Sequence, residues 1–230
     1  RILFSIFENS ENLINNTLLF VILPLSLLAM FAGTIMAIYE KDIKRLLAHS
    51  SVAQIGYITL AFAIGTKASV AAGFIHMFNH AIIKGGLFIA ITSISFYIKK
   101  RVTINNLSGL GKEMPITFFC FVICSLSLAG LPLTAGFISK LYLIKASISS
   151  DDIWIAILIL ISSALSVVYL WKIIEVMWMR DGRKILIKEN PTIYISLIII
   201  TFFNIYFGLD ASLVVNGSFE AAEKLIGDLK

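Results

Sequence analysis

Two histidines and a lysine recur every fourth residue in the stretch Ile75–Leu87, which reads Ile-His-Met-Phe-Asn-His-Ala-Ile-Ile-Lys-Gly-Gly-Leu. On a helix turning about 100° per residue, His76, His80 and Lys84 advance by about 40° at each step and form one polar stripe. At about 1.5 Å per residue the stripe is about 12 Å long, a sizeable part of a bilayer core of about 30 Å. A lysine at that depth costs about 2.5–3.5 kcal/mol on the lenient insertion scale, and intramembrane ionisable groups mark pathways by default. Imidazoles exchange protons near neutral pH, so the three groups together make stepping stones for protons. The duller reading is a polar stripe that only hydrogen-bonds neighbouring helices. A helical zinc site is a further alternative, since the spacing of His76 and His80 suits a metal. The protease version needs a glutamate after the first histidine, where this chain has Met77, and no acidic residue lies in the segment. We therefore expect no metal, no cofactor and no catalytic residue here.

A second lysine, Lys140, follows the run Gly130-Leu-Pro-Leu-Thr-Ala-Gly136. Proline removes a backbone donor and glycine offers no side chain, so Gly130, Pro132 and Gly136 predict a helix broken within the membrane. Such breaks survive at that depth only where protein or water covers the freed backbone. Lys140 lies near the middle of a span of about 30 residues, which argues against a lysine that merely reaches back to the interface. Three further residues are weaker candidates. His49 stands at the mouth of a span, and Gln54 shares an inward face with Ser50 and Tyr57. Glu175 is read first as an acid at the membrane edge, partnered by Lys172.

The elements that must carry these groups are membrane helices. The chain has 230 residues, 58% hydrophobic and 14% charged, with a mean hydropathy of +0.91. Soluble domains hold about 25% charged residues, so the expected class is all-α and polytopic, an integral membrane protein. A pI near 9.2 could suggest nucleic acid, but the basic residues sit in short loops between apolar spans. Cys120 and Cys124 lie one turn apart in an apolar span and read as small packing groups.

About six spans are expected, with one or two broken in mid-membrane: Thr17–Tyr39, Leu46–Gly65, Ser69–Ile98 with room for a break near Gly85-Gly86, a span from Ile116 resuming as Phe137–Ala146, Ile153–Trp171 continuing toward Met179, and Thr192–Gly208. Residues 1–16 read as the end of a truncated upstream region, 17–208 as the conducting domain and 209–230 as a polar, weakly amphipathic tail. The chain begins with Arg1 and shows no cleavage-site pattern, so its start reads as a truncation and not as a signal peptide. Loops after the first, third and fifth spans hold twelve Lys and Arg residues and the opposite side five. The positive-inside rule then puts those odd loops in the cytoplasm and both termini outside.

Three stretches, in order, carry a family resemblance: Asp42-Ile-Lys-Arg-Leu-Leu-Ala-His-Ser-Ser-Val-Ala-Gln-Ile-Gly-Tyr57, the His76/His80/Lys84 stripe, and Ser127-Leu-Ala-Gly-Leu-Pro-Leu-Thr-Ala-Gly-Phe-Ile-Ser-Lys140. They resemble the proton-conducting membrane subunits shared by respiratory complex I and the Mrp-type multisubunit cation/proton antiporters. Within that family, the stretch Val168–Trp178 looks most like the D-type component of the Mrp antiporters. The resemblance implies two inverted five-helix repeats, each with a broken helix, along a central axis of buried charges. It assigns Lys140 to the broken helix of the second repeat, on the outward half of the proton path, and His76, His80 and Lys84 to the axis joining the half-channels. The family's first repeat, with its glutamate–lysine pair, lies upstream of Arg1, so the chain reads as the second repeat plus one helix.

The implied function is a proton-translocating subunit of an Na⁺ or K⁺/proton antiporter in a bacterial inner membrane. The implied partners are other membrane subunits, the lipid bilayer, protons and the exchanged cation, with no nucleic acid. The respiratory alternative is a pumping subunit of NADH:quinone oxidoreductase, with the redox chemistry in partner chains. A rival of another class is a non-conducting assembly subunit.

Overall fold

The computed structural model describes residues 21–99, 101–181 and 189–227, so the region 1–16 lies outside the described residues. Within them the chain is helical: α1 (Leu23–Tyr39), α2 (Ile43–Ile64), α3 (Lys67–Ile98), the short α4 (Leu110–Glu113), α5 (Pro115–Ala129), α6 (Ala135–Ser149), α7 (Ile153–Met179), α8 (Pro191–Leu209) and α9 (Ser212–Gly227). α2, α3, α7 and α8 are each long and apolar enough to cross a bilayer. α1 and α5 are shorter apolar helices, and α5 with α6 forms one interrupted span.

The helix ends follow from local chemistry. Asp42 caps α2 by accepting the Arg45 amide at 3.0 Å, and Gly65 closes that helix with φ 73°. Thr66 and Ser69 exchange side chain-to-backbone bonds across the first turn of α3, a reciprocal capping box. Pro115 starts α5, where its missing amide costs nothing. Glu189, far away in sequence, accepts the Ile116 and Thr117 amides, each at 3.2 Å, and the Thr117 hydroxyl at 2.6 Å. A carboxylate on that helix N-terminus meets its free amides and its positive end.

The odd loops gather at one end of the bundle. The Ile43 amide donates to Val102 O and the Ile104 amide to Lys41 O, both at 3.0 Å, and the Gly109 amide reaches Val176 O at 3.3 Å. Lys112 and Asp181 approach to 3.9 Å in the same region.

Two expectations change. α3 is continuous through Gly85-Gly86. A Cβ on Gly86 would sit 2.5 Å from Cys124 Sγ, so this glycine serves the close approach of α5 and breaks nothing. The stretch from residue 209, expected as a polar tail, contains α9. That helix packs on α3 by burying Ala222 in one cluster with Val70 and Ala71, with Lys67 and Glu223 paired at 3.0 Å, and sets Phe219 against Tyr142 with ring centroids 6.2 Å apart.

Candidate functional site

α3 presents its stripe to the bundle interior, where His76 and Lys84 are buried. Lys84 Nζ donates to Leu47 O at 2.8 Å and also to the Ser50 hydroxyl. One turn back, His80 stacks on His76 with ring centroids 6.3 Å apart and planes within 10°. His76 Nε2 lies 3.1 Å from Gln54 Oε1, and Nδ1 lies 2.9 Å from Ser139 Oγ. The Tyr57 ring packs against His76 with centroids 5.4 Å apart, and Lys140 Nζ lies over the same Tyr57 ring, 5.5 Å from its centroid. The face Ser50–Gln54–Tyr57 of α2 thus lies along the stripe.

Lys140 is held by the break itself. α5 ends at Gly130 with φ 90°, a left-handed conformation that suits glycine. The chain then passes Leu131, Pro132 and Leu133 and restarts at α6. Two carbonyls at the end of α5 accept from Lys140 Nζ, Leu128 O at 2.8 Å and Ala129 O at 3.0 Å, and the Ser163 hydroxyl of α7 accepts at 2.6 Å. Helix-terminal carbonyls have no partner within their own helix and carry its negative end. The break therefore makes a cation site out of main chain.

Gly130 and Pro132 lie in the break, but Gly136 belongs to the first turn of α6. A Cβ there would stand 1.9 Å from Ser127 O, so Gly136 lets the two half-helices touch and is not the point of rupture. The Ser127 hydroxyl ties this contact, accepting the Gly136 amide at 3.1 Å and donating to Asn204 Oδ1 of α8 at 2.7 Å. Asn79 adds a second brace by donating to Ala135 O at 2.7 Å.

The structure therefore aligns Lys84, His80, His76, Gln54 and Lys140 in one row, buried except for the half-buried His80, and leaves two candidates outside it. His49 is partly exposed at the odd-loop end, 3.8 Å from Glu40. The Glu40 carboxyl is held below the usual carboxylate range by hydrogen bonds from the Asp42 and Lys41 amides. Glu175 lies 3.8 Å from Arg180, so the expected Lys172 partner is replaced by the cation that the end of α7 brings near. Both nitrogens of His76 already face Gln54 and Ser139, which disfavours a metal on the His76/His80 spacing.

Sequence reasoning missed Ser139, Ser163, Asn79 and Asn204 as parts of the site. Asn204 carried a usable signal, an amide in the apolar run of α8. The serines carried none, because isolated serines are ordinary in membrane helices. Several buried atoms, His80 Nδ1 and the Ser162 and Tyr169 hydroxyls among them, have no protein partner among the described residues. Such atoms are where ordered water is expected.

A bundle of apolar helices around an inward-facing row of lysine and histidine side chains, one of the lysines seated on a broken helix, has the architecture of an integral membrane protein. Residues 2–166 match the family described as NADH:quinone oxidoreductase/Mrp antiporter, TM, and the chain belongs to it. It is 34% identical over 167 residues to F(420)H(2) dehydrogenase subunit N of Methanosarcina mazei, covering 69% of this chain and 34% of that protein. It is 40% identical over 144 residues to NADH-quinone oxidoreductase subunit N of Desulforudis audaxviator, covering 62% of this chain and 28% of that one. Among solved structures, a chain of the membrane-bound sulfane sulfur reductase, an archaeal respiratory membrane complex, superposes with a TM-score of 0.87 at 30% identity, over 97% of this chain and 45% of that one. The chain thus spans about a third of the length of these curated relatives. Their names favour the respiratory alternative and lend nothing to the likeness with the D-type component of the antiporters.

Proposed function

We propose that this chain is a proton-conducting region of a respiratory membrane subunit of the subunit N kind, with redox chemistry carried by partner chains. The observation that carries this reading is the inward-facing row Lys84–His80–His76–Lys140, in which each ammonium is buried and has polar partners inside the bundle. A proton enters the row at one lysine, hops through the imidazoles and leaves at the other; Lys140 serves the outward side. The odd loops, with their excess of Lys and Arg, face the cytoplasm. The partners are other membrane subunits and the bilayer. The second reading, an Na⁺ or K⁺/proton antiporter subunit, is supported by the family's description, which joins both complexes.

The test uses inside-out vesicles carrying the full assembly. On adding the host's electron donor, NADH or F420H2, the vesicles should acidify, and Lys140→Ala should abolish acidification while electron transfer partly persists. Collapse of an imposed pH gradient by Na⁺ or K⁺, dependent on Lys140, would move the chain to the antiporter reading. If neither response depends on Lys140 in assembled complexes, the chain is a scaffold.

A further inference from the structure

α8 buries three residues, Leu197, Thr201 and Asn204, and two of them are polar. A polar side chain inside a membrane bundle is costly unless it is hydrogen-bonded, so its partner matters. Asn204 Oδ1 accepts the Ser127 hydroxyl at 2.7 Å, and Ser127 Oγ accepts the Gly136 amide at 3.1 Å. An amide N–H only donates, so the one hydrogen of the Ser127 hydroxyl is left for Asn204. One turn further along α8, Gly208 meets the chain between the half-helices backbone to backbone. A Cβ there would stand 2.5 Å from Leu133 O and from Thr134 C and Cα. Leu133 has φ 69°, a left-handed conformation that a leucine keeps only where its surroundings impose it.

These contacts straddle the seat of Lys140. Ser127 directly precedes Leu128 and Ala129, whose carbonyls take the ammonium at 2.8 and 3.0 Å, and Gly136 lies one turn before Lys140 on α6. Lys140 thus reaches from one half-helix to grip the other, and hydrogen bonds weaken steeply when their geometry is disturbed. How firmly the ammonium holds its proton therefore depends on where α6 starts relative to the end of α5. We propose that Asn204 is a positioning residue for proton exchange at Lys140, with Gly208 as the second point of contact. Through them α8 holds the end of α5 and the start of α6 in register, so that two carbonyls face one ammonium. This rests on the proton-conducting reading. No proton passes through α8; Asn204 acts through Ser127, and Gly208 acts through Leu133 and Thr134.

Proton flux in inside-out vesicles from cells carrying the whole complex tests the proposal, normalised to the amount assembled and measured across a range of pH. Asn204→Leu keeps the volume and removes the acceptor, so flux should fall several-fold and its pH dependence should be displaced from that of the native complex. Ser127→Ala should do the same. The double variant should fall no further than the lower single one, because one hydrogen-bond chain is being cut twice. Gly208→Ala should lower flux at least as far as Asn204→Leu. Thr201→Val, on the same face of α8 but 3.9 Å from Cys124 Sγ and outside that chain, should leave flux and pH dependence unchanged. Native flux and pH dependence in Asn204→Leu, Ser127→Ala or Gly208→Ala, with Lys140→Ala inactive, overturns the positioning role and leaves the conducting reading standing. A loss with unchanged pH dependence, or an equal loss in Thr201→Val, also overturns it, since α8 would then act by packing alone. Full flux in Lys140→Ala overturns the conducting reading itself. If Asn204→Leu or Gly208→Ala does not assemble, Ser127→Ala, the smallest change, decides alone.

Discussion

Lys84 and Lys140 are both buried ammonium groups that donate to main-chain carbonyls, yet the two sites are built in opposite ways. Lys84 projects from an unbroken helix into another unbroken helix. Its acceptor, Leu47 O, also takes the Ser50 and Ser51 hydroxyls at 2.9 and 3.0 Å. Lys140 stands on a broken helix and uses carbonyls released by the break. One site borrows a single oxygen already engaged by two hydroxyls, and the other has two oxygens freed by backbone geometry, of which Ala129 O also accepts the Ser163 hydroxyl at 2.8 Å. The comparison teaches that the break is more than an opening for water. It supplies two main-chain acceptors for a charge, where the intact helix supplies one, and each lysine adds one hydroxyl.

The largest expected effect comes from forcing the two half-helices apart. Gly136→Ala puts a methyl where Ser127 O stands, at a separation of 1.9 Å. Backbone cannot give by that amount, so the cost should exceed that of ordinary overpacking, about 1–3 kcal/mol. Gly86→Ala on the intact helix meets a cysteine sulfur at 2.5 Å, and a side chain can turn away. Quantifying assembled complex in membranes should show near-complete loss for Gly136→Ala and partial loss for Gly86→Ala. Equal accumulation of the two would break the distinction between broken and intact helix.

Next in size is the effect of a charge that cannot be released. Arginine stays protonated in proteins, so Lys84→Arg and Lys140→Arg keep the cation and remove proton exchange. Both should assemble and lose at least about tenfold in flux, as expected for losing an acid–base step worth about 10²–10⁴ in comparable catalysis. Flux that survives either arginine would show that the group acts only as a fixed charge.

The hydroxyl partners sharpen the comparison at a smaller scale. Ser50→Ala leaves Lys84 with one crowded carbonyl, whereas Ser163→Ala leaves Lys140 with two. A hydrogen bond to a charged group contributes about 1.5–3 kcal/mol, and the intact-helix site has no spare acceptor. Vesicle flux should therefore fall several-fold in Ser50→Ala and by less in Ser163→Ala. The reverse order would mean that the break's carbonyls do not suffice for Lys140.

This asymmetry also explains what is legible in the sequence. The stripe His76/His80/Lys84 and the break at Gly130–Pro132 can be read because periodicity and proline chemistry are local. The lateral partners cannot. Ser139 faces His76 only because Asn79, Ser127 and Asn204 fix the restart of α6, contacts between residues 56 to 77 positions apart. Gly136 reads as part of the rupture because a glycine needed for close approach looks the same in sequence as one needed for a turn. Gly85-Gly86 misleads for the same reason. Glu189 escapes notice because its role is long-range, capping a helix that begins more than seventy residues earlier.

The smallest effect should come from a charge outside the row, which makes it the control for the rest. Asp42 caps α2 and pairs with Arg101 at the odd-loop end. Burial pushes its carboxyl upward, but the Arg101 hydrogen bond and charge and the Arg45 and Lys44 amides outweigh it, leaving the group below its ordinary value. A carboxyl depressed in the folded state contributes stability above its unfolded pKa of about 3.9 and loses it as pH falls through the folded value. Thermal stability of the assembled complex should therefore show no Asp42 contribution to pH dependence above about pH 5, and a decline that begins below about pH 4. Asp42→Ala should remove the cap at a cost of about 1 kcal/mol and flatten the acid decline. Arg101 is 61% exposed at the side chain, and solvent screens such pairs, so Arg101→Ala should cost less than the cap. Neither variant should change flux per assembled complex at neutral pH, because the pair touches neither lysine. A fall in that ratio would extend the conducting row to the odd-loop surface, and the contrast between an axis that moves charge and an end that only anchors it would have to be redrawn.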